Sequence, residues 1–174
     1  SKTVLESIHG FDPDFWPGEE MIASFRAEKN GTVLMFNPQA YVFHYPRESV
    51  TRFWKQIHGY GATRVRLLRA GVEFEPLTIV PAVWVLSLLV LGVGALFSKY
   101  ALYLLALDLV LYCLADAWFT WLKYRETRRP IDLLLFLLVP AMHLSYGIAE
   151  WMEFLRPNKD LSEKLPSAGK SPSP

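Results

Sequence analysis

Three apolar runs fill the second half of this 174-residue chain, and they constrain its fold more than any other feature. Residues 76–97 carry no charged side chain, and 100–122 and 131–155 carry few. Crossing a hydrocarbon core of ~30 Å takes a helix of about 20 residues, so each run is long enough to span. A buried helix in a water-soluble domain rarely needs so many apolar positions in sequence. The three runs are therefore read as transmembrane helices at about 76–97, 100–122 and 131–155, the first two joined by a tight turn at Ser98-Lys99. Arg64, Arg66 and Arg69 precede the first run, and Lys123, Arg125, Arg128 and Arg129 separate the second from the third. The positive-inside bias puts both groups on the cytoplasmic side. Three crossings then send the C-terminal tail outside, although it carries Arg156, Lys159, Lys164 and Lys170.

Composition matters mainly for what it excludes. A net charge of +1 provides no polyanion-binding surface, and no nucleic-acid partner is expected. The single cysteine, Cys113, lies inside an apolar run, which excludes a disulfide framework and a cysteine metal cluster. The first residues, SKTVLESIHG, are polar and are not a signal peptide. They lack an initiator Met, so the chain is expected to begin part-way through a longer protein. Asp108, Asp116, His143 and Glu150 fall at membrane depth, where ionisable groups face a bundle interior; hydrogen bonding between helices is favoured over a substrate contact. Pro140 is expected to kink the third run. Residues 156–174, rich in Ser, Pro and Lys, read as a disordered tail.

Ahead of the apolar runs the chain has a soluble composition. Residues 2–8 read as a short helix, and Gly10-Phe11-Asp12-Pro13-Asp14 as a turn. Glu19 to Asn30 has helical character: acidic residues suit the positive end of its first turn, and Gly31 suits a C′ position. Thr32 to Phe36 and Tyr41 to Tyr45 read as strands on either side of an Asn37-Pro38 turn. Residues 48–75 form a basic amphipathic segment with aromatic side chains, expected to lie on anionic headgroups. Gly59 and Gly61 are expected to break it in two.

Chemistry concentrates between Gly10 and Arg69. Glu19 and Glu20 are adjacent carboxylates at a helix start, behind the aromatic pair Phe15-Trp16. A carboxylate so placed can act as a general base toward a hydroxyl, though acidic residues at helix starts are more often simple dipole partners. His44, at the end of a strand-like run, is a candidate metal ligand, but one ligand does not make a site. No zinc spacing, phosphate loop or nucleophile elbow occurs.

The order of these pieces is more specific than any one of them. Gly10-Phe11-Asp12, Gly18-Glu19-Glu20, Arg26 and Gly31 resemble the turn, acidic segment, helix Arg and closing Gly of family 2 inverting glycosyltransferases. Asn37-Pro38-Gln39-Ala40, Val42-Phe43-His44, Arg47-Glu48-Ser49, Lys55-Gln56 and Gly59-Tyr60-Gly61 follow in that family's order, and His143-Leu144-Ser145-Tyr146-Gly147 resembles its membrane-anchored members. The resemblance covers roughly residues 1–155. It departs at three positions: Glu20 stands where the family has Asp, Ile22 where a second acid is common, and Gly59 where an Arg is usual. Of the processive synthases' Gln-x-x-Arg-Trp motif only Gln56 and an aromatic remain, which disfavours that subgroup.

The resemblance implies sugar transfer from a nucleotide sugar with inversion. It makes Glu20 the general base and Glu19 its support, with Trp16 and Tyr60 toward the acceptor. Gln56 and Lys55 would face the donor, and His44 the metal. It further implies a divalent cation, Mg or Mn, held mainly by a nucleotide-binding half expected ahead of Ser1. Asp12-Pro13-Asp14 has the letters of that half's metal motif but lies in a turn. The predicted fold is thus a partial α/β domain of GT-A type at 1–47, an interfacial segment at 48–75, three transmembrane helices within 76–155 and a disordered tail at 156–174. The predicted function is a glycosyltransferase of the cell inner membrane, working at the cytoplasmic face on a lipid-linked or envelope glycan. The competing readings are a catalytically inactive membrane module that docks a partner subunit, and an anchor that binds anionic lipid through Arg52 to Arg69.

Overall fold

A computed structural model describes residues 2–43, 49–73 and 75–157. The chain forms six α-helices in these parts: α1 (Lys2–Ser7), α2 (Glu19–Lys29), α3 (Val50–Arg69), α4 (Val80–Ala95), α5 (Lys99–Thr127) and α6 (Leu135–Phe154). Single 3₁₀ turns at Pro13–Phe15, Pro76–Ile79 and Pro130–Leu134 lead into α2, α4 and α6, each starting with a proline, whose fixed φ and missing N–H suit a first helical position.

The first three helices end alike. A left-handed residue follows each, His9 (φ 62°), Gly31 (φ 79°) and Gly71 (φ 79°). Two bonds close each end: for α2, Gly31 N–H to the Glu28 carbonyl and Thr32 N–H to that of Ala27; for α3, Gly71 to Leu68 and Val72 to Leu67. This is the Schellman arrangement, in which orphan carbonyls are satisfied as the chain reverses. At the other end of α3 the Ser49 hydroxyl accepts from the Arg52 N–H at 3.2 Å, an N-cap.

Two small cores hold the N-terminal part. Phe15, Ile22, Leu67 and Ala70 bury one another with Phe25 and Val72 at the margin; Ile8, Ala23 and Ala27 pack with Val4. α2 is thus gripped between α1 and the C-terminal half of α3. Past it, α3 runs parallel to α6, with the Trp54 carbonyl accepting from Ser145 Oγ at 3.0 Å and Arg66 paired with Glu153 at 3.1 Å.

The expected α/β domain of GT-A type is not there: the described residues contain no strand and no sheet. Residues 32–43 are irregular, with Val33, Met35, Phe36, Val42 and Phe43 each more than 80% exposed. The β-branched and aromatic composition that signalled strands is a preference for a pleated, half-buried surface. It yields a strand only where another backbone edge completes the ladder, and α1, α2 and α3 provide none. The expected break at Gly59 and Gly61 is also corrected, since α3 is one continuous helix. Its glycines serve contact. A Cβ at Gly61 would strike the Tyr146 carbonyl of α6, and one at Gly59 would lie 2.7 Å from the Pro17 ring.

The segments Pro76–Ala95, Lys99–Thr127 and Pro130–Phe154 are each long and apolar enough to cross a membrane. α4 and α5 form an antiparallel hairpin: Ser98 Oγ caps α5, Ser87 Oγ donates to Asp108 Oδ2 at 3.1 Å, and Trp84 stacks on Tyr112 with ring centroids 3.9 Å apart. The Tyr112 hydroxyl lies 2.8 Å from His143 Nδ1 of α6, within hydrogen-bond reach. Asp108 and His143 are therefore used between helices. Asp116 is buried, and its two carboxylate oxygens have no hydrogen-bond partner among the described residues. His44 and the tail beyond Pro157 lie outside the described residues.

Candidate functional site

The site begins with the loop between α1 and α2, which two anchors hold. Asp12 is the first: its Oδ1 accepts from the Asp14 N–H at 3.1 Å, and its Oδ2 accepts from Arg26 Nη2 of α2 at 2.9 Å. Both partners are largely buried, with side chains 10% and 6% exposed, and the Arg26 guanidinium also lies 6.0 Å from the Phe15 ring centroid. A short charge-assisted pair screened from water fixes geometry as well as contributing energy.

The second anchor is α3. Thr63 Oγ1 donates to the Phe15 carbonyl at 3.4 Å, and Arg66 Nη1 donates to the Asp14 and Trp16 carbonyls at 3.1 and 3.4 Å. The loop then comes so close to α3 that side chains must be absent. Gly18 has φ 126°, a conformation other residues rarely adopt, and a Cβ there would lie 2.7 Å from the Thr63 methyl. Pro17, after a cis peptide bond, rests over Gly59.

Between loop and helix opens a cleft of about 610 Å³. Trp16, Pro17, Gly18, Glu19 and Glu20 line one wall; Arg52, Lys55, Gln56, Gly59 and Tyr60 line the other. Six of the seven predicted site residues therefore share one cavity, drawn from sequence positions 16 to 60, and the seventh, His44, lies outside the described residues. Trp16 is 64% exposed at the cleft. Glu19 turns back, and its Oε2 accepts from the Gly18 N–H at 3.0 Å at the positive end of α2. Glu20, one residue on, is exposed. Across the cleft, Gln56 Nε2 donates to the Tyr60 hydroxyl at 2.8 Å. Among the described residues no ion pair joins Arg52 or Lys55 to the two carboxylates. The cavity thus presents a proton acceptor on one wall and two cations on the other.

No three His, Cys, Asp or Glu side chains converge as a metal site among the described residues. Glu19 and Glu20 alone do not make a cage for a divalent ion, which takes six or more oxygen ligands from protein, water or substrate.

Sequence reasoning missed Thr63 and Leu67, which build the cleft rather than line it. With Gly59 of the lining they stand four apart on α3 and meet Pro17, Phe15 and the first core in turn. That i, i+4, i+8 stripe was a readable signal. The arginines assigned to headgroups make protein contacts. Arg64 binds Thr78 and Glu75, Arg66 binds Glu153 in a two-pronged pair, and Arg69 donates to the Phe154 and Arg156 carbonyls. An anionic-lipid anchor built on Arg52 to Arg69 loses three of its cations to these bonds.

No protein-family model matches the chain, and no solved structure matches it. It is similar to a characterised protein of Methanococcus voltae, the dolichyl N-acetyl-alpha-D-glucosaminyl phosphate 3-beta-D-2,3-diacetamido-2,3-dideoxy-beta-D-glucuronosyltransferase, with 30% identity over 149 residues. The alignment covers 84% of this chain and 43% of that protein, so the chain spans less than half of its relative's length.

Proposed function

We propose that this chain is the acceptor-side part of a membrane-bound glycosyltransferase, and that the Trp16–Tyr60 cleft is where the acceptor hydroxyl is activated. The observation that carries the reading is the convergence of Trp16, Glu19, Glu20, Lys55, Gln56 and Tyr60 on one cavity. The Methanococcus voltae relative, named for glycosyl transfer to a dolichyl-linked sugar phosphate, supports a lipid-linked acceptor. The three apolar helices are consistent with work at a membrane.

In this reading Glu20 removes the proton from the acceptor hydroxyl as its oxygen attacks the anomeric carbon. The bond to the donor's diphosphate breaks as the new glycosidic bond forms, with inversion as in family 2 enzymes. Glu19, held by its own helix N-terminus, keeps the Gly18–Glu20 backbone in register. Arg52 and Lys55 offset the charge that gathers on the leaving diphosphate. Trp16 supplies a flat apolar face for a sugar ring, and Gln56 with Tyr60 a polar edge. A divalent cation, where one is bound, would support the leaving group beside Arg52 and Lys55.

The test is Glu20→Gln in the full-length protein, with transfer from a labelled nucleotide sugar to a polyprenyl-phosphate-linked sugar as the readout. Loss of a general base typically lowers turnover by about 10²–10⁴-fold, with acceptor KM little changed. Wild-type turnover in Glu20→Gln would remove Glu20 as the base.

A further inference from the structure

α6 has the length and composition of a membrane span, but its neighbours place it differently. The α4–α5 hairpin supplies a depth scale. The register carried by Ser87–Asp108 and Trp84–Tyr112 sets Asp116 opposite the first turn of α4. α5 continues eleven residues past Asp116 to Thr127, about 16 Å toward the side where α3 lies. That extension carries an aromatic and basic belt, with the Trp118 and Trp121 rings 5.0 Å apart and Arg125 4.6 Å above Trp121. The opposite end has Lys99 5.5 Å from the Tyr100 ring centroid. Aromatic and basic residues gather at the two membrane–water boundaries, so these belts mark the two faces.

α6 starts from the α3-side belt, where Thr127 hydrogen-bonds Asp132. It descends along α5 as far as the Tyr112–His143 contact, six residues and about 9 Å inside Trp118. Its contacts to α4 at His143, Gly147 and Trp151 go no deeper. From His143 to Trp151 the helix advances about 12 Å, yet its α4 neighbours stay between Pro81 and Val85. His143 lies by Trp84, Gly147 meets Pro81 and Val85, and Trp151 Nε1 donates to the Ala82 carbonyl at 2.8 Å. A helix crossing beside α4 would move down it toward Ala95. α6 instead passes across its top and emerges at α3, where Glu153 meets Arg66 and the Phe154 and Arg156 carbonyls meet Arg69. Arg66 in turn holds the cleft loop at Asp14 and Trp16. The end of α6 therefore touches the residues that build the cleft.

We propose that α6 does not cross the bilayer: it dips into the leaflet on the cleft's side and returns, so that the described residues cross twice and Pro157 lies on the cleft's face. The partner of its outer surface is that leaflet. Phe136, Leu137, Ile148 and Met152 are exposed along its length, and Leu133 and Leu134 in the turn before it. A re-entrant helix is sound because its backbone groups are bonded internally. Charge agrees as well. Lys123, Arg125, Arg128, Arg129 and Arg156 then join Arg52 and Lys55 on one face, leaving Lys99 on the other, which removes the conflict that three crossings create.

Sidedness of single cysteines in the full-length protein, in sealed membrane vesicles of known orientation, tests this. In a background with every native cysteine, Cys113 included, replaced by Ser, Arg129→Cys, Pro157→Cys and Lys99→Cys are treated with a membrane-impermeant maleimide. Two crossings require Arg129→Cys and Pro157→Cys to label from one side and Lys99→Cys from the other. Labelling of Pro157→Cys from the same side as Lys99→Cys would establish three crossings and overturn the proposal. Should Pro157→Cys react only after detergent, a protease-cleavable reporter fused after Pro174 decides on the same terms. Cleavage from the Arg129 side supports the proposal, and cleavage from the Lys99 side overturns it.

Discussion

Asp12 shows how much of the cleft depends on one side chain that never faces it. Its carboxylate holds the Asp14 N–H and the Arg26 guanidinium in a nearly dry setting. Removing one partner of a buried ion pair leaves the other charged and unpaired, which costs about 3–5 kcal/mol, whereas replacing both with apolar groups is often close to neutral. Asp12→Ala should therefore lower the unfolding free energy by that amount, and the double variant Asp12→Ala/Arg26→Met should recover much of it in denaturant titrations. Equal losses in single and double variants would mean the pair is not the source. Glu19 gives the smaller counterpart. Its bond to the Gly18 N–H and its place at a helix N-terminus are together worth about 1 kcal/mol. Glu19→Ala should lose roughly that, and Glu19→Gln, which keeps an acceptor oxygen, should lose less in the same titration.

At the scale of elements, α3 shows where sequence reading succeeds and where it stops. The basic amphipathic character of this segment was legible, and so were the acidic start of α2 and the apolar runs, because composition and periodicity are local. What α3 touches was not legible. Gly59 and Gly61 looked like breaks because glycine disfavours helix, yet α3 uses them to meet Pro17 and α6. Residues 32–36 looked like a strand because Val33 and Phe36 suit one, yet a ladder needs a second edge that no local rule reports. The candidate site residues were named from motif order, while the hold of Thr63 and Arg66 on their loop was not foreseen. Gly61→Ala tests the contact reading. Intrinsic propensity favours Ala by about 1 kcal/mol, but its Cβ would strike the Tyr146 carbonyl and lie 3.1 Å from the Ala149 methyl. Overpacking of this kind costs about 1–3 kcal/mol, so the variant should melt lower. Gly92→Ala, with nothing within 4 Å, is the control and should melt at or above the wild-type temperature.

Across the whole molecule, Arg66 is the side chain through which cleft, α3 and α6 share one geometry. Its Nη1 donates to two loop carbonyls, while Nε and Nη2 grip the two oxygens of Glu153 on α6. The planar fork matters here, because an ammonium group offers a point charge and cannot make both sets of bonds at once. A hydrogen bond to a charged group contributes about 1.5–3 kcal/mol where it is sheltered, and Glu153 is sheltered, with 9% of its side chain exposed. Arg66→Lys should therefore fall between wild type and Arg66→Ala in thermal stability, since it keeps the charge but loses the bridge. If the proposed function holds, both variants should also raise KM for the lipid-linked acceptor more than they lower kcat, because they loosen the Trp16 wall without touching Glu20. Glu153→Gln separates the two halves of this tie: it weakens the α6 grip and leaves the loop carbonyls bonded, so it should lower stability with little change in KM. If Arg66→Lys matched wild type in both measurements, charge alone would be sufficient, and the coupling of α6 to the cleft would have to run through the Gly61–Tyr146 contact instead.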